Sequence, residues 1–164
     1  MQNLMSLKPC LWYDSDAEDA AKFYCAIFKN SKIGRISHYS SEGQEIHGRK
    51  PGSVMAVEFE IDGHSFQALN GGPMFKFSEA ISFSIEARDQ AEVDYYSEKL
   101  TAAGGEQGPC GWLKDKFGLS WQIVPQRLPE MLAGPDRKRA DRAMKAMLQM
   151  KKLDIAKLEE AYNG

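Results

Sequence analysis

GWLKDKFGLSWQIVP, residues 111–125, has a near copy earlier in the chain. Laying Gly63 on Gly118 aligns IDGHSFQALNG, residues 61–71, with FGLSWQIVPQ, residues 117–126, so that Gly, Ser and Gln recur at the same offsets with an aromatic residue before each Gln. The chain is read as two versions of one small unit. The residues that this doubling places at a site are glutamines and serines, so the pattern specifies an architecture and leaves the substrate unassigned.

Working outward, 164 residues suit one domain or two half-domains sharing a core. With 43% apolar and 27% charged residues, the composition is that of a globular chain. A net charge of -2 gives no reason to expect nucleic acid. Met1 to Pro9 lacks an apolar signal-peptide core and no apolar run approaches the length of a membrane span, so no membrane partner and a cytoplasmic location are expected. Cys10, Cys25 and Cys110 lie far apart without Cys-x-x-Cys spacing, which argues against a disulfide framework, a zinc knuckle or a redox dithiol; buried, reduced thiols are expected.

Charge is unevenly placed. Residues 126–164 carry nine Lys or Arg against six Asp or Glu, while residues 1–125 carry twelve against seventeen. The basic tail is expected to pack on the acidic body or on that of a second subunit.

Leu7 to Tyr13 reads as a strand, followed by a polar turn whose Asp14 to Asp16 supply helix caps. Ala17, Ala20, Ala21, Tyr24, Ile27 and Phe28 then fall on one helical face. Ile33 to Tyr39 reads as a strand and Ser40 to Gly52 as a loop or hairpin. Met55, Val57, Phe59 and Ile61 alternate with Ala56, Glu58 and Glu60 in a strand with one dry face, and Asp62-Gly63 turns it into His64 to Leu69. The order then restarts: a strand with Ile81, Phe83 and Ile85 against Ser82, Ser84 and Glu86; a helix capped by Asp89 with Val93, Tyr96, Leu100 and Ala103 on its apolar face; Gly104-Gly105 as its end; a shortened strand near Glu106 to Pro109; and strands Trp112 to Lys114 and Leu119 to Val124. Strand, helix and a run of hairpin strands, twice, is an α+β arrangement. After Pro125, Ala140, Ala143, Met144, Met147 and Leu148 mark one helical face, and Asp154 caps a helix carrying Ile155, Leu158 and Ala161.

These segments resemble the glyoxalase, bleomycin-resistance and extradiol-dioxygenase group, the vicinal-oxygen-chelate superfamily. Within it the chain is most similar to the branch named after demethylubiquinone methyltransferase, which includes phosphonate-operon-type proteins. The resemblance is carried by LWYDSDAEDAAKFY (11–24), FEIDGHSFQALNGGP (59–73), ISFSIEARDQAEVDYYSEKL (81–100), CGWLKDKFGLSWQIVP (110–125) and MKAMLQMKKLDIAKLEEA (144–161). It implies two βαβββ modules, residues 1–73 and 74–125, forming an incomplete barrel around a cavity, a helical tail over 126–164, and a homodimer.

In metal-dependent members of the group, four ligands come from the first and last strands of the two modules. Counting along the matched segments places these near Pro9 or Cys10, at Gln67, at Ile81 or Ser82, and at Gln122. Cys10, Gln67, Ser82 and Gln122 make a poor divalent site, because Gln is a weak neutral ligand and Ser weaker still. His64 has the wrong strand parity to join Gln67, while His38 and His47 lie at a strand end and in the loop. No metal or other cofactor is therefore predicted. The methyltransferase name also lacks a motif: Gly71-Gly72 and Gly104-Gly105 follow a hairpin and a helix rather than joining a strand to a helix.

If Met55, Val57, Phe59 and Ile61 face the helix, Glu58 and Glu60 face the cavity, as do Glu86, Ser82 and Ser84. Gln67 and Gln122 stand opposite, with Trp12 and Trp112 as aromatic walls. A carboxylate in such a concave apolar setting is expected to have a raised pKa suited to a general base. The reading is a protein that binds a small, partly apolar molecule, with Cys10, Trp12, Glu58, Glu60, Gln67, Ser82, Ser84, Glu86, Trp112 and Gln122 as cavity candidates. A metal-dependent lyase, isomerase or dioxygenase is the alternative, and a non-catalytic interaction protein is a third.

Overall fold

The computed structural model describes residues 7–164. Residues 1–6, which the sequence reading includes in the first module, lie outside the described residues. The chain divides after Lys76 into two compact units, and the helical tail belongs to the second.

The first unit runs β1 (Cys10–Tyr13), α1 (Ala17–Ile27), β2 (Lys32–His38), a helical turn α2 (Gln44–His47), β3 (Val54–Ile61) and β4 (His64–Asn70). Its sheet has the order β1-β4-β3-β2, with β1 parallel to β4 and the other pairs antiparallel. Asp62 and Gly63 both take positive φ at the β3–β4 hairpin, the backbone that an Asp-Gly turn provides at low cost. Helix α1 packs on one face. Ala17, Ala20, Ala21 and Tyr24 are wholly buried, and the small alanines let the helix sit close to Val57, Phe59 and Ala68. Tyr24 stacks on Phe59 with ring centres 6.1 Å apart, and Phe59 stacks on Phe66 at 5.4 Å.

The second unit repeats the order: β5 (Ser82–Ala87), α3 (Gln90–Thr101), β6 (Glu106–Gln107), β7 (Trp112–Lys114) and β8 (Ser120–Pro125), in a sheet β5-β8-β7-β6 with β5 parallel to β8. Trp121, Ile123, Leu113 and Pro125 face α3 and are buried with Val93 and Leu100. Asp115 anchors the β7–β8 turn. Its carboxylate is buried and accepts from the Phe117 and Leu119 N–H groups at 2.9 and 3.1 Å and from the Trp121 indole at 2.9 Å.

Three helices follow: α4 (Arg127–Ala133), α5 (Arg137–Leu148) and α6 (Ile155–Asn163). Leu128, Met131, Ala143, Leu153 and Leu158 form a core of their own, against which Val124 of β8 packs. Backbone bonds from Cys110 to Met150 (2.8 Å) and from Gly111 to Lys151 (2.7 Å) tie the tail to the second unit. The Gln90 side chain adds two more, accepting from Ile155 N–H at 2.9 Å and donating to Leu153 C=O at 3.2 Å. The charge asymmetry has a minor part: Lys152–Asp94 at 2.6 Å joins tail to body, an exposed kind of pair worth about 0–1 kcal/mol. Each large apolar side chain buried here is worth roughly 1.5–3 kcal/mol.

Several local expectations change. Asp14 to Asp16 do not cap α1 with their side chains; the buried Asn70 does, accepting from Ala17 N–H at 2.8 Å while donating to Val54 C=O at 3.0 Å. The cap thus comes from the end of a distant strand. On α3 the buried position between Val93 and Leu100 is Ser97, a small residue that permits close packing, while Tyr96 is half-buried and Ala103 lies past the helix end with φ of 58°. Met144 and Leu148 are exposed, because the buried stripe of α5 is centred on Ala140 and Ala143. Helix α4 went unread because Pro129 interrupts a short pattern, and the Ser40 to Gly52 loop contains α2. None of the three cysteines is buried, and Cys10 is exposed.

Candidate functional site

Each sheet has one face covered by its helix and an opposite face formed by the alternate residues. All ten candidate residues lie on these second faces, five in each unit, because strand parity assigns them there.

In the first unit, Gln67 is the centre of a row across three strands, paired with Cys10 on β1 and Glu58 on β3. The row above it aligns Trp12, Leu69 and Ala56, and the row below aligns Ser65 with Glu60. Two residues that the sequence reading passed over complete this face. Lys8 reaches Glu58 Oε1 at 2.8 Å, and Arg35 Nη2 reaches the same oxygen at 2.9 Å. Lys8 shares the parity of Cys10 and Trp12, a signal the sequence does carry. Arg35 does not: Ile33 and Ile36 pair with Phe59 and Val57, so β2 holds one extra residue at Gly34-Arg35, and this bulge turns Arg35 to the open side. Gly34 suits the spot, since a Cβ there would lie 3.2 Å from Glu58 C=O.

These contacts correct the expected general base. The hydrogen bond from Lys8, then that from Arg35, holds the Glu58 carboxyl below the ordinary glutamate range, outweighing its desolvation. Glu60 pairs with Lys32 at 3.1 Å. Partial burial pushes the Cys10 thiol up, so its thiolate is disfavoured. Trp12 is half-buried; its indole donates to Gly72 C=O at 2.8 Å and its ring meets Phe75 edge-on at 4.9 Å.

In the second unit the equivalent row is Ser84, Gln122 and Trp112. The counterpart of Cys10 is therefore Ser84, with Ser82 one row away, opposite Ser120. Gln122 nevertheless spans the two rows, donating from Nε2 to Ser82 Oγ at 2.9 Å. Glu86 pairs in register with Val124, at the end of the face that packs against the tail core. Lys114, two residues on from Trp112, forms an ion pair with Glu79 at 2.5 Å, and this raises the Lys114 pKa and lowers that of Glu79.

In neither unit do the donors fit a divalent ion. Cys10, Gln67, Ser82, Ser84 and Gln122 are uncharged groups, and Glu58 is engaged by two cations. Among the described residues no three His, Cys, Asp or Glu side chains gather as a metal site would require. His64 is exposed, and His47 stacks on Tyr39 at 4.7 Å with its Nδ1 accepting from Arg49 N–H at 3.0 Å.

Two concavities lie away from these rows. One, of about 250 Å³, is lined by Ser15, Asp19, Tyr39, Arg49, Ser53 and Asn70, where Tyr39 donates to Asn70 C=O at 2.7 Å. The other, about 520 Å³ and open, lies between α3 and the start of α6, at Gln90, Asp94, Met150, Lys152 and Lys157. Neither contains any of the ten candidate residues. Among the described residues no helix is long and apolar enough to cross a membrane.

Two solved structures, from Bacillus cereus and Pseudomonas aeruginosa, share this architecture. A Bacillus cereus PhnB protein, named as a 3-demethylubiquinone-9 3-methyltransferase, is 27% identical over 74% of this chain and 99% of its own, with a TM-score of 0.60. PA1353 from Pseudomonas aeruginosa is 16% identical over 75% of this chain and 98% of its own, with a TM-score of 0.57, and shares the fold. A glyoxalase/bleomycin resistance protein from Albidiferax ferrireducens T118 is 16% identical, covering 74% of this chain and 98% of its own, at a TM-score of 0.46. Comparison with curated proteins yields no match. Residues 5–124 match the model of the family described as 3-demethylubiquinone-9 3-methyltransferase. With this match over most of its length and two βαβββ units, the chain belongs to that family.

Proposed function

We propose that this protein binds a small, partly apolar molecule on the open face of a sheet, beside Gln67 or Gln122, and does so without a divalent ion. The observation that carries the reading is the equivalence of Gln67 and Gln122: each is half-buried at the centre of a three-strand row, at the same register position of a repeated unit. An amide offers both donors and an acceptor to a polar head group, and Trp12 and Trp112 offer apolar surface beside it. The neutral character of the surrounding donors supports hydrogen bonding over metal coordination.

The family name suggests methyl transfer, and the chain's motifs do not support it. The turns from β1 into α1, Asp14-Ser15-Asp16, and from β5 into α3, Arg88-Asp89, lack the glycine that a backbone approaching a nucleotide-like cofactor requires, and Gly43 before α2 opens only a four-residue helical turn. The alternative is a metal-dependent lyase, isomerase or dioxygenase. A metabolite screen by calorimetry or native mass spectrometry, with and without chelator, separates the readings. Metal-independent binding is expected, weakened about a few-fold to tenfold by Gln122→Ala, the loss of one neutral hydrogen bond. Binding that needs added metal and vanishes with chelator would favour the enzyme.

A further inference from the structure

Resting on that reading, we infer that the ligand carries an acid group, a carboxylate or a phosphate-type anion, held on the first unit's open face by Lys8 and Arg35. The inference starts from a mismatch of charge. Lys8 Nζ and Arg35 Nη2 converge on a single oxygen, Glu58 Oε1, at 2.8 and 2.9 Å. One carboxylate cannot neutralise two cations, and the neighbouring row is already balanced by Lys32 with Glu60. The open face therefore keeps a surplus positive charge, although the half of the chain up to Lys76 carries eight Lys or Arg against nine Asp or Glu.

The arrangement also has the donors to use that charge. An ammonium has three N–H groups and a guanidinium five, so one shared oxygen leaves most of them to point elsewhere. The Lys8 and Glu58 side chains are 34% and 31% exposed, and Arg35 is 78% exposed, so an incoming anion can reach all three. The β2 bulge at Gly34-Arg35 is what brings the guanidinium to this side of the sheet, and Gln67 lies next to Glu58 in the same row to bind an uncharged part of the ligand. Glu58 then acts as an internal competitor that occupies the two cations until a stronger or bidentate acid displaces it.

The test uses four matched probes with the intact chain: benzoate, phenyl phosphate, benzyl alcohol and benzylammonium. Affinity is measured by calorimetry, and the site is located by backbone amide shifts. At least one of the two anions should bind about tenfold or more tighter than the alcohol, shift the amides of Lys8, Cys10 and Gln67, and weaken as salt rises. Lys8→Gln and Arg35→Gln should each weaken it by roughly tenfold, while Glu58→Gln should tighten it by removing the competitor. A preference between benzoate and phenyl phosphate tells which acid group the site takes. If benzyl alcohol binds on this face as well as the anions do, or if the anions bind but Lys8→Gln and Arg35→Gln change nothing, the acid-group inference falls and small-molecule binding stands. If none of the four probes shifts this face, both fall. Far-UV circular dichroism of each variant at the temperature of the binding measurement should match that of the parent and show that the fold is kept.

Discussion

The indole of Trp12 occupies the place that a side chain at Gly71 would take: a Cβ built there would lie 2.2 Å from Trp12 Cζ2. The glycine is required by this close approach and not by its backbone angle, which is not among the positive-φ positions. Gly71→Ala should therefore cost about 1–3 kcal/mol, as overpacking does. It should also displace the indole from Gly72 and Phe75. A drop in the urea midpoint with a shifted tryptophan emission checks it; an unchanged midpoint would show that the ring moves aside freely.

Asn70 is a second single point of attachment. Its side chain caps α1 at Ala17 and also bonds Val54, and it is buried. Asn70→Ala leaves a helix N–H and a strand carbonyl without partners and should cost about 1–3 kcal/mol. Asn70→Asp keeps the acceptor and loses the donor, so its stability should fall between the two. If both variants unfold at the parent's denaturant concentration, the bonds contribute nothing net.

Ending the chain at Pro125 should expose Val124 and remove the whole Leu128, Met131, Ala143, Leu153 and Leu158 core. The truncated chain should aggregate or melt lower. A milder version of the same prediction is Gln90→Ala, which breaks the two bonds holding Leu153 and Ile155. It should raise amide exchange at residues 153–158 before it affects the β-sheet. Uniform exchange would indicate that the tail opens only with the rest of its unit.

Acid should act through Glu58. Because its folded pKa is depressed, first by Lys8 and then by Arg35, its stabilising effect is fully present above the ordinary glutamate pKa and is lost as pH falls through the lower folded value. Glu58→Gln should be less stable than the parent near neutral pH, and the two denaturation midpoints should converge in acid. High salt should narrow the neutral-pH difference. Parallel curves at every pH would show that the ion pairs do not contribute.

The repeat, the order of the elements and the two faces of each sheet were legible in the chain because they follow from local rules. Alternation along β3 separates Val57, Phe59 and Ile61 from Glu58 and Glu60, and Asp62-Gly63 marks a turn wherever it stands. The 3.6-residue period of α1 names its buried residues correctly. By the same rules the ten candidate residues were expected to line one cavity; the structure puts five on the open face of each sheet, with Gln67 and Gln122 at equivalent places.

What the chain alone did not disclose depends on contacts between residues far apart in sequence. The cap of α1 is Asn70, 53 positions from Ala17. Glu58 reads as a general base until Lys8 and Arg35 are placed beside it, and Arg35 reaches it through a bulge that reverses the parity of β2. Strand alternation determines a face only while the register is regular, and electrostatics depends on neighbours in space. The chain by itself determined which residues share a surface; the tertiary structure decided which of them are already bound to one another and where charge is left over for a ligand.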